Sequence, residues 1–467
     1  MNRRPAVCIH GHFYQPPRED PWTRAIPIEP GAEPYPNYNA KITAECYRPN
    51  AELRNFARIS FDLGPTLASW LETEAPDVYS SIQNQAHSEI GAVGNAMAQA
   101  FSHRILPLAN RRDKITQIRW GIADFEHRFG YAPRGMWLPE TAVDGETLDV
   151  LVDHGIDFTI LAPWQAAVPD VDVRRPYRVR VSGGRSIAVF FFDAGLSADV
   201  SFNPDATRDA AEFALTRLAP AGSVGSDGAD ADPPPLTLIA TDGEFYGHHQ
   251  ASREHFLHDL LYREATRAGL DVVFPAAYLD RYGATTEIEL AAPTAWSCHH
   301  GVARWSCGCD CTDGDSGWKN VAFDALTALT QRLDGAYERS TRRLLRDPWA
   351  ARDHYAAVML GEGTLEEFLA AEALHALGDE ERAAAALLLE GQLYGQRMHT
   401  SCGFFWDNLA RLEMRNNLAY AAQAIRSIER ASGEQLHAAF KEHLRAARSE
   451  HTGLTGDALF ESAQKSG

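Results

Sequence analysis

Seven short apolar, β-branched or aromatic runs recur along the chain with helical stretches between them, and this alternation constrains the fold more than any other feature. The runs are Val7–His10, Ile59–Leu63, Met136–Leu138, Phe158–Leu161, Ala188–Phe192, Leu236–Ala240 and Val272–Phe274. Several are apolar at every position, as strands buried on both faces must be. Between two of them Ile115, Ile118, Ile122, Phe125 and Phe129 recur at steps of three and four, which places one apolar stripe on a helix; Gly130 and Pro133 then close it. Alternating strands and helices predict an α/β fold with a parallel sheet or barrel. Seven strands in about 280 residues favour a closed or nearly closed barrel.

The texture changes from about Asn320 onward. Residues 364–398 are rich in Ala, Leu and Glu, and 404–447 continue in helical period. The expected division is therefore a catalytic barrel over 1–295, a Cys/His/Trp-rich loop over 296–319 and an α-helical C-terminal domain over 320–467. One stretch, APAGSVGSDGADADPPP at 219–235, offers almost nothing to bury. Lying between two expected strands, it reads as a surface insertion within one domain.

With 467 residues, 45% of them hydrophobic and 23% charged, the chain is neither a fibre nor fully disordered. Its net charge of −19 argues against phosphate-backbone binding and docking on an anionic membrane, so neither a nucleic-acid nor a membrane partner is expected. A neutral, hydroxyl-rich partner such as a glycan is indifferent to that charge. The first residues carry only a short apolar run before His10, too short for a secretory signal, and no apolar stretch has the roughly 18 residues that span a membrane. Seven cysteines, four of them between Cys298 and Cys311, do not read as a secreted disulfide scaffold, and a cytoplasmic location is expected.

Functional side chains of parallel barrels gather where strands end, and here those ends are chemically loaded. The first run leads into His10, Gly11, His12, Phe13, Tyr14, Gln15 and Pro16; the third ends at Pro139 and Glu140; the sixth ends at Thr241, Asp242, Gly243 and Glu244, followed by Tyr246, Gly247, His248 and His249. Glu140 and Asp242 are thus two carboxyls at one end of one barrel. A retaining glycosidase needs such a pair, one to attack the anomeric carbon and one to protonate the leaving oxygen; helix capping or pairing with an arginine is the structural alternative. His10 and His12, two apart on a strand, share a face. With His103 and Asp242 they could hold sugar hydroxyls, a metal, or one another.

The segment 296–318, WSCHHGVARWSCGCDCTDGDSGW, offers Cys298, His299, His300, Cys307, Cys309 and Cys311. Its Cys-x-Cys-x-Cys spacing does not easily set adjacent thiolates around one tetrahedron, unlike the Cys-x2-Cys pairs of structural zinc. The readings are a zinc site, a packed Gly-rich loop with reduced thiols, or a cleft rim with Trp296 and Trp305 against sugar faces and His300 in the cleft. No phosphate loop, dinucleotide fingerprint or Gly-x-Ser-x-Gly elbow is present.

Together these motifs resemble glycoside hydrolase family 57, retaining α-glucan amylases, 4-α-glucanotransferases and branching enzymes on a (β/α)7-type barrel with a helical domain behind it. The family's His-x-His-Gln-Pro motif is similar to His10-Gly-His12-Phe-Tyr-Gln15-Pro16, with Phe13 and Tyr14 as two extra residues. Its second motif resembles Gly94–Leu108, with His103 before the Leu-Pro. Trp137-Leu-Pro-Glu140 looks like its nucleophile motif, and Asp242-Gly-Glu244-Phe-Tyr-Gly247-His248 its acid motif. The resemblance covers about residues 5–310 and implies Glu140 as nucleophile and Asp242 as acid/base. It further implies that His10, His12, Gln15, His103, Trp137, Glu244 and His248 contact an α-glucan or maltooligosaccharide. No cofactor and no metal are implied. HTSCGFFWDN at 399–408 is similar to a helical family-associated domain of undefined role. The rival readings are a metal-dependent carbohydrate deacetylase, which has no use for the Trp137–Glu140 motif, and a non-catalytic glucan-binding protein, which has no use for both carboxyls.

Overall fold

A computed structural model describes residues 4–87, 94–219, 221 and 233–464. Of the expected insertion at 219–235, residues 220 and 222–232 lie outside the described residues. The chain forms two compact units, one made of Met1–Gln15, Ile28–Gln99 and Arg128–Trp296, the other of Pro16–Pro27, Ala100–His127 and Ser297–Gly467.

The first unit is a barrel. Its parallel strands are β1 (Ala6–Phe13), β2 (Ser60–Leu63), β3 (Ala96–Gln99), β4 (Met136–Trp137) and β5 (Phe158–Leu161). After β6 (Tyr177–Arg180), which runs antiparallel to its neighbour, come β7 (Ser186–Phe191) and β8 (Leu236–Asp242). β8 pairs with β1, β1 with β2, β2 with β3 and β3 with β4, all parallel. A parallel bridge between Gly135 and Phe158 carries β4 to β5, which pairs with β7. The ring closes where Asp193, just past β7, donates its N–H to the Leu238 carbonyl of β8 at 2.7 Å. The staves are therefore β1, β2, β3, β4, β5, β7 and β8, a (β/α)7 barrel.

Six of the seven predicted strands are staves, and the seventh is not. Val272–Phe274 supplies only β9 (Asp271–Val272), a short parallel addition beside the start of β1. The missing stave is β3, whose sequence AMAQ has no β-branched or aromatic residue to mark it.

Side chains alternate in and out along each stave, and this period sorts the lumen into two layers. At the N-terminal end Ala6 and Cys8 of β1, Met97 of β3, Phe158 and Ile160 of β5, Phe190 of β7, and Leu236 and Leu238 of β8 form one apolar cluster. Continuing each period toward the C-terminal end turns the lumen polar: His10 and His12 on β1, Ser60 and Asp62 on β2, Gln99 on β3, Asp242 on β8. An apolar plug thus supports a polar mouth.

The second unit is helical, with long helices Trp318–Thr341, Asp379–Arg397 and Leu412–Ser432. The last two pack so closely that a Cβ on Gly391 would lie 2.7 Å from the Ile428 side chain. Residues 100–127 belong to this unit through a buried ion network. Asp113 accepts from Arg104 Nη1 and Arg352 Nη1, both at 3.0 Å, and from Gln396 Nε2 at 2.8 Å. Burial alone would raise the Asp113 carboxyl; the two guanidiniums reverse that and hold it at about 2. Residues 16–27 are tied in by Trp22 Nε1, which donates to the Ala463 carbonyl at 2.7 Å, and by Gln423 Nε2, which donates to the Pro21 carbonyl. The linear division drawn from sequence assigned both segments to the barrel. Most of the predicted stripe helix, Arg111–Phe129, also falls in the second unit. No helix among the described residues is long and apolar enough to cross a membrane.

Candidate active site

The barrel mouth is built on strand register. His12 pairs with Asp62 on one side and Asp242 on the other, so three ionisable side chains share one layer. Asp62, wholly buried, bridges both histidines: His10 Nε2 donates to Oδ1 at 3.1 Å, and His12 Nδ1 donates to Oδ2 at 2.8 Å. Nδ1 of His10 lies 3.0 Å from Ser60 Oγ. Burial opposes a charge on His12, but Asp62 outweighs it with help from Asp242 and Glu244, raising His12 to about 9. His10 is lowered instead, because burial there outweighs its share of Asp62.

Trp137 covers this layer. Its ring stacks on His10 at 4.7 Å and on His12 at 5.2 Å between centroids, and meets Trp296 edge-on at 5.2 Å. Trp296 then reaches Glu140, donating from Nε1 to Oε2 at 2.8 Å and from its backbone N–H to the Glu140 carbonyl at 3.0 Å. Glu140 sits in a left-handed backbone conformation, φ 57° and ψ 22°, and Thr141 follows at φ 48°. The turn is held on both sides: Thr141 N–H donates to the Leu138 carbonyl, its hydroxyl to Gln165 Oε1 at 2.8 Å, and Gln165 Nε2 to the Thr141 carbonyl at 2.8 Å.

Asp242 is raised to about 6, first by burial and then by the negative charges of Glu140 and Asp62, with His12 pulling the other way. Glu244 is raised to about 7 by burial, partly offset by the Tyr47 hydroxyl, which donates to Oε1 at 2.6 Å. Gln15 Nε2 also faces Tyr47 Oη and Glu244 Oε1, at 3.2 and 3.4 Å. The two extra residues before Gln15 have clear places. Phe13 fills the space over Gly11 and Gly243, where a Cβ would meet its ring at 2.6 and 2.4 Å. Tyr14 stacks along His12. His248 Nδ1 lies 2.5 Å from Glu45 Oε2. Two polar groups at the mouth, Trp137 Nε1 and the Gln99 side-chain amide, are buried with no hydrogen-bond partner among the described residues.

Residues 13–291 match the profile of glycosyl hydrolase family 57, and residues 316–465 match that of a domain of unknown function, DUF3536. The first match spans more than half of the chain. The protein belongs to glycosyl hydrolase family 57. An alpha-amylase from Pyrococcus horikoshii is 24% identical over 252 residues, 51% of this chain and 36% of that protein. A 4-alpha-glucanotransferase from Thermococcus litoralis is 26% identical over 211 residues, 43% of this chain and 29% of that protein. The chain therefore aligns with about a third of the length of these curated relatives. Among solved structures, an exo-type maltose-forming amylase from Pyrococcus sp. ST04 superposes with a TM-score of 0.78 at 15% identity, covering 98% of this chain and 88% of the other. A family 57 branching enzyme from Thermococcus kodakaraensis superposes at 0.62 and 14% identity, covering 99% and 94%. These superpositions establish the fold.

Of the candidate residues that the family 57 motifs and the loop reading singled out, the first unit holds His10, His12, Gln15, Trp137, Glu140, Asp242, Glu244, His248 and Trp296. His103, His300 and Trp305 lie in the second unit. His103 Nδ1 is 2.6 Å from Ser401 Oγ. Trp305, only 1% exposed, lines a small pocket with His399, Ser401 and Phe404. His300 joins the cysteine cluster, 3.4 Å from Cys311 Sγ.

Sequence reasoning missed Asp62, Tyr47 and Gln99. Asp62 carried a signal, an acid inside the predicted strand Ile59–Leu63. Tyr47 and Gln99 carried none, because only the folded chain brings them to the mouth.

Proposed function

We propose that this family 57 protein is a retaining glycoside hydrolase or glucanotransferase acting on α-linked glucan, with Glu140 as nucleophile and Asp242 as acid/base. One observation carries the reading. Two carboxyls that follow different staves lie close enough for the charge of Glu140 to add to the burial that raises Asp242 to about 6. The carboxylate of Glu140 attacks the anomeric carbon while Asp242 gives its proton to the glycosidic oxygen, whose bond to that carbon breaks. The glycosyl ester on Glu140 carries no negative charge, so the group that raised Asp242 is neutralised at this step. Asp242 becomes a stronger acid and a stable carboxylate, which then takes the proton of the incoming water or sugar hydroxyl as the ester is cleaved. The half-buried Trp296 offers flat apolar surface for a sugar ring, with the wholly buried Trp137 packed edge-on against it. The family's amylase and glucanotransferase relatives support the glucan substrate.

Azide rescue tests the roles. On an activated aryl α-glycoside, Asp242→Ala should accumulate the glycosyl-enzyme, and azide should release the retained α-glycosyl azide. Glu140→Ala should form no covalent intermediate and should give the inverted β azide by direct attack. The β azide from Asp242→Ala reverses the assignment, and full activity of either variant on glucan removes that residue from the chemistry. Incubation with maltooligosaccharides separates the two activities: shorter products mean hydrolysis, and redistributed lengths mean transfer.

A further inference from the structure

The sequence objection to a metal in the 296–318 loop is that Cys-x-Cys-x-Cys does not easily set adjacent thiolates around one tetrahedron. The fold removes the objection by leaving Cys307 out. Its thiol is exposed and lies 3.6 Å from the next residue's carbonyl, that of Gly308. The four groups that do converge come as two short pairs, Cys298-x-His300 and Cys309-x-Cys311. One ligand atom from each lies within 4.8 Å of every other, and theirs is the one such group of His, Cys and carboxylate atoms among the described residues.

The distances fit a tetrahedron. Zinc bonded to sulfur at about 2.3 Å and to imidazole nitrogen at about 2.0–2.1 Å sets two sulfurs roughly 3.8 Å apart and a sulfur and a nitrogen roughly 3.6 Å apart. Cys298 Sγ and Cys309 Sγ are 3.6 Å apart, and Cys311 Sγ and His300 Nδ1 are 3.4 Å apart. A disulfide needs about 2.05 Å between its sulfurs. The outer contacts suit a bound metal as well. The backbone N–H of His299 donates to Cys311 Sγ at 3.4 Å, the kind of outer bond that orients a metal-bound sulfur. Lys319, fully buried, donates to Thr312 Oγ1 at 2.8 Å, one residue past Cys311 in the chain. One zinc ion with three thiolates and a neutral imidazole carries a single net negative charge, and the Lys319 ammonium and the Arg304 guanidinium, which donates to the Cys311 carbonyl, are cations beside it.

We propose that Cys298, His300, Cys309 and Cys311 bind one structural zinc ion. Binding releases three thiol protons and involves no change of oxidation state. Four protein ligands leave no open position, so the ion contributes to stability rather than to chemistry.

The test uses the full chain purified under reducing conditions. Elemental analysis should give one zinc per chain, and a thiol-blocking mercurial should release it to a colorimetric chelator. Exchange for cobalt should produce the visible bands of a tetrahedral site together with sulfur-to-cobalt charge transfer. Cys309→Ser and Cys311→Ser should lose the metal, and Cys307→Ser should keep it in full. Should the ligand variants fail to fold, the cobalt spectrum of the unmodified chain still decides. A reduced chain that neither retains zinc nor takes up cobalt overturns the proposal. So do iron in place of zinc, a Cys298–Cys309 disulfide found by mass spectrometry in the reduced preparation, or metal loss from Cys307→Ser equal to that from Cys309→Ser.

Discussion

Trp296 donates its indole N–H to Oε2 of Glu140 at 2.8 Å and its backbone N–H to the carbonyl of the same residue, so one tryptophan fixes both ends of the proposed nucleophile. Trp296→Phe keeps most of the ring and removes the side-chain donor. A hydrogen bond to a charged group contributes about 1.5–3 kcal/mol, so kcat/KM on maltooligosaccharides should fall roughly 10- to 150-fold. The folded chain should keep its Tm within a few degrees. Unchanged kinetics would mean that the bond does not steer the carboxylate.

Asp62 should matter for stability beyond its size. It pairs with a His12 held protonated to about pH 9, and Asp62→Asn leaves that buried imidazolium without its counter-charge. Removing one partner of a buried pair costs about 3–5 kcal/mol. Chemical denaturation at neutral pH should show a loss of that order, narrowing as pH rises. The raised His12 stabilises the fold fully below its unfolded value of 6.5, and this contribution is lost as pH climbs through about 9. A loss that does not change with pH would contradict the pairing.

The pH profile should separate acid catalysis from attack. As the proposed acid, Asp242 must carry its proton to act, and that proton is held only up to about pH 6. With natural glucan, kcat/KM should decline above about pH 6. With an aryl glycoside whose leaving group needs no protonation, that limb should flatten. The same limb on both substrates would assign it to another group.

In the helical unit, Asp113→Asn should behave as a structural lesion. It strands Arg104 without its counter-charge and leaves Arg352, 1% exposed, only the longer contact to Asp334 at 3.8 Å. We expect a destabilisation of about 3–5 kcal/mol, read from the denaturation midpoint.

How much of this was legible before folding depends on what range each feature operates over. Strand periodicity and caps act within a few residues, so β1, β5, β8 and the helix Arg111–Phe129 could be read directly. β3 could not, because AMAQ is shaped by the neighbours that bury it. The site divides the same way. Glu140 and Asp242 stand in local motifs at strand ends. The Tyr47–Glu244 contact links residues 197 apart in the chain, and no local pattern announces it. The linear domain division met the same limit: a buried Asp113 that bonds Arg352 and Gln396 binds residues 100–127 to helices more than two hundred positions later.

The left-handed turn at Glu140 has an evolutionary consequence. At φ 57° a residue with a Cβ sits about 1–2 kcal/mol above its preferred backbone state, and glycine does not. Glu140→Gly should therefore melt higher than Glu140→Ala while equally inactive. A lineage selected only for a durable fold would drift toward glycine at this position. With Glu140 as the proposed nucleophile, selection for its reaction is what opposes that drift.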